Sequence, residues 1–172
     1  MLEMLNLSSF GAFHTLIALV AVACGIVALV RHGTLGTRTG SGLAYVLLTV
    51  ATSVTGLFIF RHGGFGPPHA LAIMTLVALA IGFGAERRAG RSGPAAYVAA
   101  LAYLITLFFH LIPGLTETGT RLPLGSPAFT GPEDPMLKLC VGIGFAVYLV
   151  GAAWQVARLR HARQTPLGAP IS

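Results

Sequence analysis

Four histidines lie near the ends of apolar segments that are long enough to cross a membrane: His14, His62, His69 and His110. A histidine inside or at the edge of a membrane is costly unless its ring has partners, so such residues often mark functional sites. Imidazole titrates near neutral pH, ligates metals and haem iron, and transfers protons. The four residues therefore predict a site for one of these chemistries at one edge of a helical bundle.

The composition favours a membrane protein over a soluble domain. Of the 172 residues, 55% are hydrophobic and 9% are charged, and the mean hydropathy is +0.80. A soluble domain carries about a quarter charged residues. The excess of 11 Lys and Arg over 5 Asp and Glu does not indicate nucleic-acid binding. The chain has no basic helix and no patch of aromatic and basic residues, which such binding requires.

Five apolar segments have about the 17 to 25 residues that a helix needs to cross the hydrocarbon core. They cover residues 10–30, 42–60, 69–85, 94–111 and 135–157, and charged residues, glycine or proline bound each of them. We therefore predict an all-α fold, in which residues 1–172 form one integral membrane bundle of five transmembrane helices. An outer loop, 112–134, and a cytoplasmic tail, 158–172, complete the predicted domain.

The basic residues predict the orientation of the bundle, because loops rich in Lys and Arg stay in the cytoplasm. One side receives eight of them: Arg31, Arg38, Arg87, Arg88, Arg91, Arg158, Arg160 and Arg163. The other side receives three: Arg61, Arg121 and Lys138. We expect the N-terminus outside and the C-terminus inside, which places the four histidines at the outer face.

Each of the four histidines can have either a chemical role or a purely structural one, and the sequence favours different roles for different residues. His14 and His110 lie within apolar segments. This position favours a role as ligands or proton carriers over a structural role in which the ring is only hydrogen-bonded to its neighbours. His69 follows two prolines, and a capping role at the start of its helix is the alternative to a cofactor role. His62 is adjacent to Arg61 in a glycine-rich turn, which is typical of a solvated interface residue.

Two kinds of cofactor suit a layer of imidazoles. Haem b needs two of them at similar depth on different helices, together with an apolar slot and aromatic walls such as Phe13, Phe58, Phe65 and Phe109. The candidate haem ligands are His14, His69 and His110. Zinc or copper is the alternative, and it needs three or four ligands about 2 Å from the metal. The candidates for that site are His14, His62, His69, His110 and Glu117.

The predicted outer loop is the other region with dense polar residues. Glu117 and Arg121 are four residues apart, so one helical turn would pair them. A loop of this length is often a lid or a partner-binding element, and an ordered surface loop is the alternative. No nucleophile–base motif, phosphate-binding glycine loop or cysteine cluster occurs. Cys24 and Cys140 are expected at different depths, which excludes a disulfide between them.

Several short motifs lie between His14 and Gly84. They are His14 itself, Arg31-His32-Gly33-Thr34, Gly42-x-x-Tyr45 and Gly64-Phe65-Gly66-Pro67-Pro68-His69-Ala70-Leu71-Ala72. This set resembles a family of small bacterial membrane proteins, the domain of unknown function number two-three-zero-six. Members usually have a histidine beside an arginine in the first cytoplasmic loop, where this chain has Thr37-Arg38. The resemblance implies a multi-pass protein of the bacterial inner membrane, and it supports His14 and His69 as family features without assigning a reaction.

Three functions remain open from the sequence. The first is a protein that holds haem b or a metal ion at its outer face, for electron transfer or for assembly of a respiratory partner. The second is a small transporter or proton-coupled carrier with His14 and His110 as relay groups, although no inverted repeat or helix broken at mid-membrane supports it. The third is a structural subunit without a cofactor. The expected partners are the lipid bilayer and either another membrane protein or a second copy of the chain.

Overall fold

The computed structural model describes residues 8–60, 64–89 and 93–164, and five α-helices account for most of them. The helices are α1 (Ser9–His32), α2 (Gly40–Gly56), α3 (Pro67–Arg88), α4 (Pro94–Gly119) and α5 (Pro135–Gln164). None of the described residues is in a strand. The prediction of an all-α fold is therefore confirmed.

Four of these helices, α1, α3, α4 and α5, are long and apolar enough to cross a membrane. Helix α2 is apolar but has 17 residues. At about 1.5 Å per residue it is about 26 Å long, slightly less than a hydrocarbon core of about 30 Å. A multi-pass membrane protein is thus supported by four helices, while the fifth crossing and the orientation stay predictions.

Local sequence explains where the first two helices begin and end. The Ser8 hydroxyl accepts a hydrogen bond of 3.1 Å from the Gly11 N–H at the start of α1. The Thr39 hydroxyl accepts one of 3.2 Å from the Gly42 N–H at the start of α2. Both satisfy a backbone donor that has no partner within the helix. Helix α1 ends at Gly33, whose φ of 65° is the left-handed conformation that glycine adopts without strain.

Helix α4 is longer than the sequence predicted. Pro113 and Gly114 suggested an end near residue 111, but the helix continues through Pro113 to Gly119. A proline inside a helix removes one backbone hydrogen bond. Near this proline, the Thr116 hydroxyl donates a hydrogen bond of 2.9 Å to the carbonyl of Ile112. The start of the predicted outer loop, up to Gly119, is therefore helical. His110 consequently lies about two and a half turns before the end of α4, not one turn or less.

Consecutive helices pack against each other, and the most extensive contacts are those of α1 with α2 and of α3 with α4. Helix α4 also contacts α1 and α5. Tyr103 of α4 packs directly on Gly82 of α3, where an added Cβ would lie 3.0 Å from the tyrosine ring. Small residues at such contacts are typical of helices that associate in lipid.

The bundle buries polar side chains and exposes large apolar ones, which is the reverse of the pattern in a soluble protein. Thr49 and Thr106 are completely buried. Large apolar side chains lie on the outside, and Val30, Val147 and Val150 are 81%, 66% and 71% exposed. This arrangement is expected when the surrounding medium is hydrocarbon, because polar groups then turn towards the interior of the bundle.

Candidate functional site

His14 on α1 is held in place by α2. Its Nδ1 lies 2.9 Å from the hydroxyl of Thr55, and its Cε1 faces Gly56, where an added Cβ would lie 3.3 Å away. The Thr55 hydroxyl is also 2.8 Å from the carbonyl of Ala51 and 3.0 Å from that of Thr52. Since a hydroxyl has one proton, and it is directed to these carbonyls, Nδ1 of His14 is the donor to Thr55. The lone pair of the ring is therefore on Nε2.

His110 on α4 has the same protonation pattern for a different reason. Its Nδ1 lies 2.9 Å from the carbonyl oxygen of Thr106, one turn earlier in the helix. A carbonyl oxygen only accepts hydrogen bonds, so Nδ1 carries the proton. Nε2 then holds the lone pair, and it is buried without a hydrogen-bond partner among the described residues. A ring that is fixed through one nitrogen and presents the other resembles a ligating histidine.

Tyr45 on α2 supports the same region through Thr106. Its hydroxyl lies 2.6 Å from Thr106 Oγ1, which in turn donates to the carbonyl of Tyr103 at 2.7 Å. Tyr45 is thus the donor to Thr106. The ring centroids of Tyr45 and His110 are 6.1 Å apart. Tyr45 and Thr106 are completely buried, so this polar contact fixes α2 against α4 beside the histidine.

The structure brings three of the predicted residues together. His14 lies within electrostatic range of His110 and of Glu117. Glu117 also forms an ion pair with Arg121, which confirms the pair predicted from their spacing. The histidine pair, defined here as His14 and His110, therefore combines two imidazoles from different helices with an acidic side chain nearby.

His69 occupies a different environment. Its Nδ1 accepts a hydrogen bond of 3.2 Å from the backbone N–H of Gly66, just before α3. This uses the Nδ1 lone pair, so the ring proton is on Nε2, which is buried without a hydrogen-bond partner. The rings of Phe60 and Phe65 lie 4.7 Å and 5.3 Å from the imidazole. His69 thus has the capping role that the sequence left as its alternative.

The ligand set predicted for zinc or copper is not assembled in the part of the chain that the structure describes. Within 8–60, 64–89 and 93–164, no group of three or more His, Cys, Asp or Glu side chains is placed to hold a metal ion. His62, which belonged to the predicted set, lies outside these residues. Cys24 and Cys140 are free cysteines, as predicted.

The aromatic walls predicted around a haem are also only partly present. Phe65 stacks on His69, and Phe109 contacts the ring of Phe108. Phe13 and Phe58 are 55% and 67% exposed on the surface of the bundle. These four side chains do not form a common wall beside the histidine pair.

A second polar cluster, which the sequence reasoning missed, surrounds Glu86 near the end of α3. The carboxylate accepts hydrogen bonds from the Thr37 N–H at 3.0 Å, the Thr37 hydroxyl at 2.8 Å and the Tyr103 hydroxyl at 2.9 Å. Arg38 Nε lies 3.8 Å from Oε1, and Arg38 Nη2 donates to the carbonyls of Glu86 and Ala89 at 2.8 Å and 3.0 Å. The cluster joins the α1–α2 connection to α3 and α4.

The sequence contained one signal for this cluster, namely the negative charge of Glu86. Glu86 is the only acid among the basic residues assigned to the cytoplasmic side, but it was interpreted with Arg87 and Arg88 as the charged end of a span. Gly36 allows the connection to approach the carboxylate. Its φ is 144°, and an added Cβ would lie 2.6 Å from Oε1 of Glu86.

No known protein family, curated protein or solved structure matches the chain. The resemblance to the domain of unknown function therefore stays a prediction that rests on the motifs between His14 and Gly84.

Proposed function

We propose that this chain is a multi-pass membrane protein that binds haem b between His14 and His110 and transfers electrons to a membrane partner. The observation that carries the proposal is the state of His110: Nδ1 is anchored on a carbonyl, and the Nε2 lone pair is buried without a partner. An oriented lone pair in an apolar bundle is unfavourable without a ligand, and iron would supply one.

His14 would be the second protein ligand of the haem iron in this proposal. Its hydrogen bond to Thr55 leaves Nε2 with the lone pair, as in His110, and the two rings come from different helices. Haem b can be held by two imidazoles, so this pair would be sufficient to bind it. Zinc or copper needs three or four ligands, and no such group occurs among the described residues. Haem is therefore the better match of the two.

The absorption spectrum of the purified full-length protein tests this proposal. We expect a Soret band, and a sharper visible band after reduction with dithionite, in protein purified from haem-supplemented cells. His14→Ala and His110→Ala should each lose most of the haem per protein, because each removes an imidazole that would hold the iron. His32→Ala is the matched control, since His32 is exposed at the other end of α1. Equal haem content in all variants would refute His14 and His110 as the ligands, and no haem in the wild type would refute haem binding.

A proton-coupled carrier is the second candidate, and a different observation favours it. The Tyr45–Thr106 hydrogen bond lies beside His110, and Tyr103 of the same helix donates to Glu86 at the other end of the bundle. Buried polar side chains that extend through a membrane bundle are typical of proton pathways. Protein without haem that dissipates a proton gradient in liposomes, and loses this activity in Glu86→Gln, would support the carrier. A protein with neither property would be a structural subunit.

A further inference from the structure

A cavity of about 270 Å³ lies at the end of the bundle opposite the histidine pair. The α1–α2 connection, the end of α3, the start of α4 and the last turns of α5 line it, and it is open on one side. Much of its wall is small and apolar, with Ala96, Ala99, Ala100 and Leu159 as examples. Its polar side chains include Arg38, Glu86, Gln155 and Arg158.

Gln155 supplies a hydrogen-bond donor that has no acceptor among the residues that the structure describes. The residue is 2% exposed, and its Nε2 is buried without a hydrogen-bond partner. Buried side-chain amides nearly always have partners, so an unpaired one beside a cavity indicates a ligand that carries an acceptor. Because Gln155 also lines the cavity, an oxygen atom of a ligand bound there is a candidate acceptor for this group.

Arg158 lies one turn after Gln155 and brings a positive charge to the same wall. Its guanidinium stacks over the ring of Trp154 at 5.5 Å and lies against Gly33, where an added Cβ would overlap it. Arg158 forms no ion pair with a carboxylate in the described part of the chain. Its charge is therefore available to a ligand.

The other two charged groups of the cavity neutralise each other. Arg38 lies beside the Glu86 carboxylate, which also accepts hydrogen bonds from Thr37 and Tyr103. One positive charge remains, that of Arg158. Together with the Gln155 amide, it selects for an anion with several acceptor oxygens, and guanidinium groups bind phosphate in this way.

We propose that this cavity binds an anionic phospholipid, with its phosphate at Arg158 and Gln155 and its acyl chains along the apolar walls of α4 and α5. Three features favour a lipid over a soluble anion. The cavity lies at the ends of helices that are long enough to span a membrane, where headgroups are found. Its walls are largely apolar. Exposed arginines at the same end, Arg31, Arg87, Arg88 and Arg160, attract anionic lipids to it.

Lipid binding by the purified full-length protein tests the proposal. Delipidated protein is titrated with phosphatidylglycerol or with phosphatidylcholine of the same acyl chains, and bound lipid is counted by native mass spectrometry. We expect selective retention of phosphatidylglycerol. Arg158→Gln should weaken that binding about tenfold or more, because it removes a charge-assisted hydrogen bond. Arg88→Gln is the matched control, since it removes an exposed charge from the same end without touching the cavity.

Gln155→Leu is a second, independent variant, for which we expect weaker lipid binding but higher stability of the lipid-free protein. It should weaken phosphatidylglycerol binding several-fold, because one donor to the phosphate is lost. It should also raise the melting temperature of the lipid-free protein, because an apolar side chain replaces an unpaired buried amide. A purely structural role for Gln155 would not produce both changes. This variant also keeps the proposal testable if Arg158→Gln does not fold.

Three results would overturn the lipid site. Equal retention of phosphatidylglycerol and phosphatidylcholine would remove the selectivity for an anion. Equal losses in Arg158→Gln and Arg88→Gln would reduce the effect to the general charge of the surface. Stabilisation by inorganic phosphate that equals the effect of phosphatidylglycerol would identify a site for free anions.

Discussion

The hydroxyl of Tyr103 on α4 donates a hydrogen bond of 2.9 Å to the carboxylate of Glu86 on α3. Both residues are buried, and the same carboxylate accepts the N–H and hydroxyl of Thr37 from the α1–α2 connection. One acid thus joins three elements of the bundle at a single point. A buried carboxylate is tolerated in such a position because donors from the α1–α2 connection and from α4 surround it.

Glu86→Ala should destabilise the protein by about 3 kcal/mol, because it leaves the buried Tyr103 hydroxyl without its acceptor and frees the α1–α2 connection. Tyr103→Phe removes one donor and should cost about 1 kcal/mol. Denaturation of the purified protein in detergent measures both changes. The control is Glu133→Ala, an exposed acid that should change stability by less than about 0.5 kcal/mol. Equal stability of Glu86→Ala and Glu133→Ala would contradict a structural role for the cluster.

Thr55→Val should weaken haem binding about tenfold or more, because the acceptor that fixes the His14 ring is lost while its volume is kept. Thr55→Ser retains the hydroxyl and should bind haem as the wild type does. Haem titration of the apo-protein, followed at the Soret band, compares the three proteins. If Thr55→Val binds as tightly as Thr55→Ser, the hydrogen bond between His14 and Thr55 does not orient a ligand.

The sequence was sufficient to predict the class of fold and, to within two residues, where each of the five helices begins, because long apolar segments between charges and prolines have few other solutions. It was misleading at Pro113. That residue is a strong signal for a helix end, and the structure instead extends α4 to Gly119. A pairing such as Glu117 with Arg121 depends on local spacing, and it was predicted correctly.

Contacts between distant parts of the chain were harder to predict. His14, His69 and His110 look alike in the sequence, and only the structure separates the two whose Nδ1 donates from the one whose Nδ1 accepts. The interaction of Glu86 with Thr37 joins residues that are 49 positions apart. Neither feature follows from periodicity, because each depends on how helices rotate against one another.

Cysteine labelling should determine whether α2 crosses the membrane. Two single-cysteine variants, Thr34→Cys and Gly64→Cys, are made in a protein that lacks Cys24 and Cys140. Thr34 precedes α2 and Gly64 follows it, and both positions are exposed. We expect a membrane-impermeant maleimide to label Gly64→Cys in intact cells and Thr34→Cys only after lysis, because the arginine-rich connections should be cytoplasmic. Labelling of both positions from the same side would mean that α2 does not cross. The reverse pattern would invert the predicted orientation.

Asp134 caps the start of α5 in a way that depends on its charge. Its Oδ1 accepts the N–H of Met136 at 2.8 Å, and its Oδ2 accepts the N–H and the hydroxyl of Thr130 at 2.8 Å and 3.0 Å. These donors stabilise the carboxylate and hold the pKa of Asp134 below its ordinary value of 3.8. The resulting stabilisation is fully present above that value and is lost as the pH falls through the lowered pKa of the folded protein.

Amide hydrogen exchange at Met136 should therefore accelerate on acidification below about pH 4, relative to the intrinsic exchange rate at each pH, because a protonated Asp134 accepts hydrogen bonds poorly. Asp134→Asn keeps the size of the side chain and a cap oxygen but removes the charge. In that variant, protection at Met136 should be weaker at neutral pH and should no longer depend on acid. The amide of Tyr148, in the middle of α5, is an internal reference that should not change in either protein. If protection at Met136 falls equally in wild type and Asp134→Asn at low pH, another group controls the start of α5.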